Sequence, residues 1–306
     1  MKNLLDVNFA KPSSIAILVL FLLTPFEFAS ATNNQMDART IIQHVIDRDD
    51  GKTQFAKQTI ATCKYAIRNR RIKCVEKPRV KVIESATKDY GKNGKDKKSI
   101  MIILEPPSER GIGFLQFDYE DQDKDSDQWM YLSALGKVKR IVSGDNNEPK
   151  TGTLFGSEFS YEDTEQAHID DFSYKLINQE KYQNRDTWVI ESRPTPEHAR
   201  KSNYSRVEQW IDKDRFLVLK ARMFDRRGKL IKQMNFSQYV NQDGIWVAKK
   251  MNMNNVQSKR ISSMKLNHSV FNIPVSDDIM SQRTLTDRAF REKYLSKLRK
   301  VAKQKI

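Results

Sequence analysis

Chemistry in this chain would have to come from few residues. The four histidines, His44, His168, His198 and His268, lie far apart. None falls in the His-Glu-x-x-His spacing that sets two imidazoles and a general base on one helical face. Ser157 follows Gly156, but the Gly-x-Ser-x-Gly spacing of a nucleophile elbow is missing. Asp121, Asp123, Asp125 and Asp127 alternate as the first ligands of a calcium loop do. Ser126 then stands where that loop demands glycine, and Leu132 where it places a bidentate glutamate. A solvated hairpin loop fits these aspartates better. Glu158, Glu162 and Asp163 suit a polar rim or an ion pair with a base such as Arg140. No catalytic set, metal site or cofactor is expected, so the reading is a non-enzymatic one, with a lipid hydrolase as its enzymatic rival.

The two cysteines, Cys63 and Cys74, lack the Cys-x-x-Cys spacing of a redox pair. They are symmetric about Arg68-Asn69. A two-residue turn there, with Asn69 tolerating positive φ, would set them opposite each other on a hairpin. A cross-strand disulfide and two free thiols both remain open.

The elements that would position any site sit behind a leader. Lys2 and Lys11 precede or flank a short apolar run, Ile15 to Leu23, and Ala29-Ser30-Ala31 fits a small-x-small cleavage site. This predicts a signal peptide over 1–31, cleaved after Ala31, and a periplasmic mature protein. No cysteine follows the site, so the mature chain is not itself expected to be a lipoprotein. Of 306 residues, 38% are hydrophobic and 30% charged, and the formal charge is +15, which asks for an acidic partner. Export and the lack of any module pattern argue against nucleic acid. An anionic membrane surface suits better.

A helix is predicted over Met36 to Asp49, where Ile41, Ile42, Val45 and Ile46 form one stripe. Strands follow over Phe55 to Ile67, Arg71 to Glu84, Ser99 to Leu104 and Gly111 to Tyr119. A second run covers Phe172 to Gln179, Thr187 to Ser192, Ser205 to Asp212, Arg215 to Phe224, Lys229 to Tyr239 and Gly244 to Met253. Turn signals such as Asp243-Gly244 divide them into an antiparallel meander. Ser281 to Ile306 reads as an amphipathic basic helix, with nine Lys or Arg against two Asp or Glu. It is expected to touch an anionic membrane or a partner, or to end as a solvated terminus.

The most informative stretch lies between the two runs. Trp129-x-Tyr131-Leu132-x-Ala134-Leu135, then Val138-x-Arg140-Ile141, then Phe155-Gly156-Ser157-Glu158-Phe159-x-Tyr161-Glu162-Asp163, resembles the outer-membrane lipoprotein-sorting protein family with the LolA-like fold. Ser133 stands where the family usually has proline. The resemblance spans about residues 35 to 285. It implies a mainly β fold with some α structure: an incomplete antiparallel barrel, or half-barrel, wrapped over helices, here residues 32–280 followed by a basic helix over 281–306. It also implies a carrier that shields a lipid or lipoprotein acyl chain, working with an RND-type membrane transporter. By resemblance, Trp129, Tyr131, Phe155 and Phe159 are cavity or cavity-mouth residues. Alternation adds Leu115, Phe117, Trp210, Leu217, Leu219 and Trp246. Ordinary core packing is the alternative for each of them. The rival function is an accessory subunit of a transporter with a filled core.

Overall fold

The computed structural model describes residues 36–143 and 148–305; the predicted leader lies outside them. Helix α1 spans Ala38–Ile46 and starts at Asp37, whose carboxylate accepts from the Thr40 amide at 3.0 Å. It contains the whole apolar stripe but is shorter than the predicted range of Met36 to Asp49. Gly51, at φ +84°, then turns the chain into the sheet. The strands of the first half are β1 (Thr53–Arg68), β2 (Arg71–Cys74), β3 (Arg79–Tyr90), β4 (Asp96–Glu105), β5 (Gly113–Asp118), β6 (Asp127–Leu132) and β7 (Lys137–Ile141). A link with short 3₁₀ turns at Leu154–Gly156, Glu162–Thr164 and Ile169–Asp171 leads on. The second half comprises β8 (Phe172–Tyr182), β9 (Arg185–Pro194), a one-turn helix α2 (His198–Lys201), β10 (Tyr204–Asp212), β11 (Val218–Asp225), β12 (Leu230–Gln242), β13 (Ile245–Asn255) and β14 (Arg260–Phe271). Helices α3 (Gln282–Thr286) and α4 (Arg288–Gln304) follow.

All fourteen strands form one sheet in the order β7-β6-β5-β4-β3-β1-β14-β13-β12-β11-β10-β9-β8, with β2 paired to β1. Every pairing is antiparallel, and β7 and β8 are the unpaired edges, so the barrel is open as the resemblance implied. The seam between the halves is β1 on β14, with Ile60 opposite Met264 and Thr62 opposite Ser262. Their hydroxyls meet at 2.7 Å. Strand β14 has no counterpart among the predicted strands. Its Ser-Ser-Met-Lys-Leu-Asn-His-Ser core is too polar to register as a strand, because its position between two strands, not its own apolarity, fixes it.

The cysteine hairpin forms with a shifted register. Asn69 and Arg70 both take positive φ, 51° and 58°, as a two-residue hairpin turn requires. Arg68 therefore faces Arg71, Ile67 faces Ile72, and Cys74 faces Tyr65, not Cys63. The Cys63–Cys74 disulfide runs diagonally across the ladder, with Cα atoms 5.8 Å apart. Pairing the cysteines directly would have set Ile67 against Arg70, separating the two isoleucines.

Period two gives the sheet two chemically distinct faces. On one, here the inner face, Ile60, Ile83, Ile103, Phe114 and Met130 pack with Ala221, Met223 and Met253 of the other half. The link crosses this face, contributing Leu154, Phe155 and Phe159 to the same core. Helix α1 sits on its far part, Ile41 and Ile42 against Ile190 and Ile211. On the outer face Ile100, Ile102 and Leu115 are covered by Leu285, Leu295, Leu298 and Ala302 of α3 and α4.

The segment read as a basic tail thus packs against the sheet. Asp287 breaks the single predicted helix in two: it ends α3 and caps α4, accepting from the Phe290 amide at 2.9 Å. The close seat of α3 needs Gly113, where a Cβ would lie 2.7 Å from Leu285 Cδ2 and 2.8 Å from Ile102 Cδ1. Arg299 grips the buried Glu84 of β3 with one edge of its guanidinium, at 2.8 Å through Nε and 2.6 Å through Nη2, while Nη1 donates to Glu292 at 2.6 Å. Leu295→Ala is expected to destabilise the protein by about 2–5 kcal/mol in urea unfolding, as a buried core truncation does. A terminal appendage would show no change.

Candidate functional site

A cavity of about 410 Å³ opens on the inner face, between the end of α1 and strands β1 and β11–β14. This is within the range of small-molecule sites. Its walls are largely apolar: Val45 from α1; Phe216 and Leu217 from the turn before β11; Phe236 and Tyr239 from β12; Ile245 and Trp246 from β13; Leu266 and Phe271 from β14. Polar groups are few. Gln54 and Gln58 come from β1, and Arg48 and Asp50 follow α1.

Local structure explains the placement. Asp212 is wholly buried at the turn between β10 and β11. Burial opposes its charge, but hydrogen bonds from Arg185 and Arg215, both at 2.9 Å, hold its pKa below the ordinary carboxylate value. The turn so fixed carries Phe216 in the left-handed region, at φ 51°, against the rings of His44 and Trp188. Arg215 also lies over Trp246, 4.8 Å from its centroid. Arg48 donates to the Trp246 carbonyl at 3.1 Å. The apolar space therefore has one guanidinium group in its lining, that of Arg48, suited to an acidic head on an apolar ligand, while Arg215 is bound to Asp212. The Tyr239 hydroxyl donates to the Val218 carbonyl at 2.5 Å, and burial pushes its pKa up. At Gly51 a Cβ would lie 2.9 Å from Phe271 Cδ1 and 3.0 Å from Ile245 Cδ1, so glycine preserves two of the cavity walls.

The wall beyond is rich in methionine. Seven of the ten methionines, Met101, Met130, Met223, Met234, Met251, Met253 and Met264, belong to the inner-face core, and Met251 and Met264 also line the cavity. Unbranched thioether chains repack at low cost, which gives such a surface tolerance for ligands of varied shape.

The Phe-Gly-Ser-Glu-Phe-Ser-Tyr-Glu-Asp stretch is the strap that crosses this face. Ser157 is spent in its turn, donating to the Leu154 carbonyl at 2.7 Å. Glu158 pairs with Arg260 of β14 at 2.6 Å, and its amide donates to Ser262 at 2.9 Å. Asp163 pairs with the buried Lys232 of β12 at 2.7 Å and accepts from the Tyr204 hydroxyl at 2.7 Å. Glu162 accepts from the Asn203 amide at 2.8 Å. These acids thus pair with the second half, whereas Arg140 pairs with Asp127. The alternating aspartates of the preceding loop are largely neutralised by bases: Asp121 by Lys124 at 3.2 Å, Asp125 by Lys201 at 2.9 Å, Asp127 by Arg140.

Beneath the strap lies a buried polar patch. The Gln116 amide donates to Asp118 at 2.8 Å and to the Thr164 carbonyl at 2.7 Å, and the Ser126 hydroxyl donates to Asp118 at 2.5 Å. Burial raises the Asp118 pKa. It also raises that of Glu165 from 4.5 to about 7, although Lys150 sits 2.6 Å away and pulls the other way.

Residues 95–287 match the model of a family described as uncharacterized-protein-like. The chain belongs to this family. Among solved structures, a DUF1329 family protein from Desulfovibrio piger shares 23% identity over 81% of this chain and 97% of its own, with a TM-score of 0.71. A Vibrio parahaemolyticus domain described as an outer membrane lipoprotein-sorting protein shares 26% over 81% and 98%, with a TM-score of 0.70. A LolA superfamily protein from Nitrosomonas europaea shares 18% over 81% and 99%, with a TM-score of 0.59. No curated protein matches the chain. The fold of this family member is LolA-like, as the aromatic motif implied.

Of the ten residues singled out in the sequence, Leu217 and Trp246 line the cavity of this LolA-like chain. Phe155 and Phe159 are buried in the strap. Leu115, Phe117, Trp129 and Tyr131 lie on the other face of the sheet, in the core beneath α3 and α4, where Phe117 and Trp129 pack edge to face at 5.0 Å. Leu219 is buried outside the cavity lining. Trp210 is buried against Lys220, which lies 3.8 Å over its ring, and donates to Glu180 at 2.5 Å. Alternation says which residues share a face, not which face it is. Phe216, Phe236, Tyr239, Met251, Met264 and Phe271 were not anticipated. The methionines recurring through β11–β14 were the available signal.

Removing one partner of a buried pair leaves the other uncompensated. Asp163→Ala is therefore expected to cost about 3–5 kcal/mol in denaturant unfolding, and a double-mutant cycle with Lys232→Met should recover part of that. Glu165 holds its proton more tightly folded than unfolded, so its contribution favours the fold at low pH and is lost as pH rises from 4.5 towards 7. Glu165→Gln should reduce the fall in melting temperature across that window relative to the parent chain.

Proposed function

We propose that the chain is an exported carrier that shields a lipid or lipoprotein acyl chain in the inner-face cavity. The observation that carries this reading is the apolar, methionine-flanked cavity on a LolA-like half-barrel, with Arg48 in its lining. Keeping an acyl chain from water is worth about 0.8 kcal/mol per methylene, so binding alone suffices for the role and no reaction is needed. In this reading residues 1–31 are an export signal cleaved after Ala31, residues 32–280 form the lipid-binding domain, and the carrier works in the periplasm with an RND-type transporter. Lys293, Lys297, Lys300 and Lys303 stay exposed on α4 and supply an electrostatic contact with an anionic membrane.

Native mass spectrometry of the protein purified from its own periplasm, followed by solvent extraction, tests this. A bound lipid of defined mass is expected, and its uptake should change the emission of Trp246. Met251→Trp, which adds bulk at the cavity wall, should lower lipid occupancy while the chain still unfolds cooperatively. A clean unliganded mass with no uptake of offered lipids would replace the carrier with an accessory role at the transporter.

A further inference from the structure

The cysteine hairpin carries charge and apolar surface that the fold does not use. Pairing of β1 with β14 ends at Lys64 opposite Arg260, so the remaining residues of β1 are paired only by β2. Residues 67–80 are exposed throughout. Between positions 64 and 79 stand Lys64, Arg68, Arg70, Arg71, Lys73, Lys77 and Arg79 against one acid, Glu76. Among the described residues none of these seven cations makes an ion pair. Arg68 directly opposes Arg71, a like-charge cross-strand pair that is unfavourable in isolation.

The apolar residues are as conspicuous. Ile67 and Ile72 face each other across the hairpin while 71% and 44% exposed, and Val75 is 54% exposed. The ends of the hairpin are nevertheless fixed. The disulfide ties β1 to β2, the Val75 amide donates to the Lys64 carbonyl at 3.0 Å, and the Lys64 amide donates to Glu76 at 2.8 Å. An ordered tip that presents branched aliphatics with arginines around them is complementary to an anionic lipid surface. Aliphatics enter the boundary between headgroups and chains, and guanidinium groups meet phosphates. Helix α4 lacks the first half of this combination, because its apolar stripe is committed to the core.

The geometry points to the hairpin tip as the element that inserts into an anionic membrane, with Ile67 and Ile72 entering and Arg68, Arg70, Arg71 and Lys73 holding the headgroups. This goes beyond the carrier reading and does not depend on a ligand in the cavity. The disulfide pre-orders the tip, so little conformational entropy is lost on docking.

Co-sedimentation of the purified chain with vesicles of phosphatidylglycerol and phosphatidylethanolamine, and with phosphatidylcholine vesicles as the neutral control, tests it. The parent chain should bind the anionic vesicles preferentially. R68S/R71S should weaken binding about tenfold or more, as the loss of two surface cations implies. I67S/I72S should leave a residual binding that added salt abolishes. K297S/K300S should retain most of the parent affinity at physiological salt. All six substituted side chains are exposed, and unchanged melting curves would show that the fold is kept. The inference is overturned if the hairpin variants bind like the parent, if neutral vesicles bind equally well, or if the α4 variant alone loses binding. Binding to native membranes but not to protein-free vesicles would also overturn it, in favour of a protein receptor. Mass spectrometry of cavity lipid on the same variants keeps failure of this inference apart from failure of the carrier reading.

Discussion

The sheet is open at both edges, and what spans its inner face is held by charge. Asp163 on Lys232, with the Tyr204 hydroxyl as a second donor, is an ion pair buried beneath the strap. Such a pair offers little net stability over a well-packed apolar substitute, but it tolerates only one geometry. Glu158 on Arg260 repeats the device farther along the strap. Together they fix where Leu154, Phe155 and Phe159 lie. That decides which part of the inner face is filled as core and which part, between α1 and β11–β14, is left as cavity. The part of the resemblance that lies in Phe155–Asp163 is therefore carried by residues that fill or clamp the strap, and not by residues of the cavity wall.

The two faces divide the work. The outer face of the first half is closed permanently by α3 and α4, through Leu285, Leu295 and Leu298 and the grip of Arg299 on Glu84. The inner face is closed partly, by α1 and the strap. The residues left between them are those with adaptable shapes, Met251 and Met264, or with flat rings, Phe236, Tyr239 and Trp246. A rigid support on one side and a repackable lining on the other is what a binding site for chain-like apolar ligands requires.

Much of the architecture was legible because it rests on local signals. The stripe of α1, the turn at Asp243-Gly244 and the alternation through β5, β6 and β11 each follow from period and turn chemistry. The site was legible in part. Leu217 and Trp246 line the cavity; the aromatics of β5 and β6, assigned to a cavity, pack in the outer core. Nothing in Trp129-x-Tyr131 says which side of the sheet α4 will cover, because that choice depends on Gly113 leaving room for Leu285. Strand β14 was not anticipated for a related reason. Its polar residues become a strand only when β1 and β13 flank it. The cysteine register slipped because symmetry about the thiols is a weaker constraint than the turn at Asn69-Arg70 and the pairing of Ile67 with Ile72.

The seam at the middle of the sheet has a consequence for assembly. Strands β1 and β14 are neighbours in space, yet Ile60 and its partner Met264 lie at opposite ends of the described chain. Each half is a meander of sequential hairpins, which form from near contacts, whereas the seam must close a loop of some two hundred residues and is therefore slow to form. Until β14 is available, β1 has an open side and the strap lacks Arg260 and Ser262 to hold it. A chain emerging from its amino end can build hairpins but cannot complete its sheet before the carboxyl end follows. A fold whose last step needs its last strand is slow to commit to its final topology.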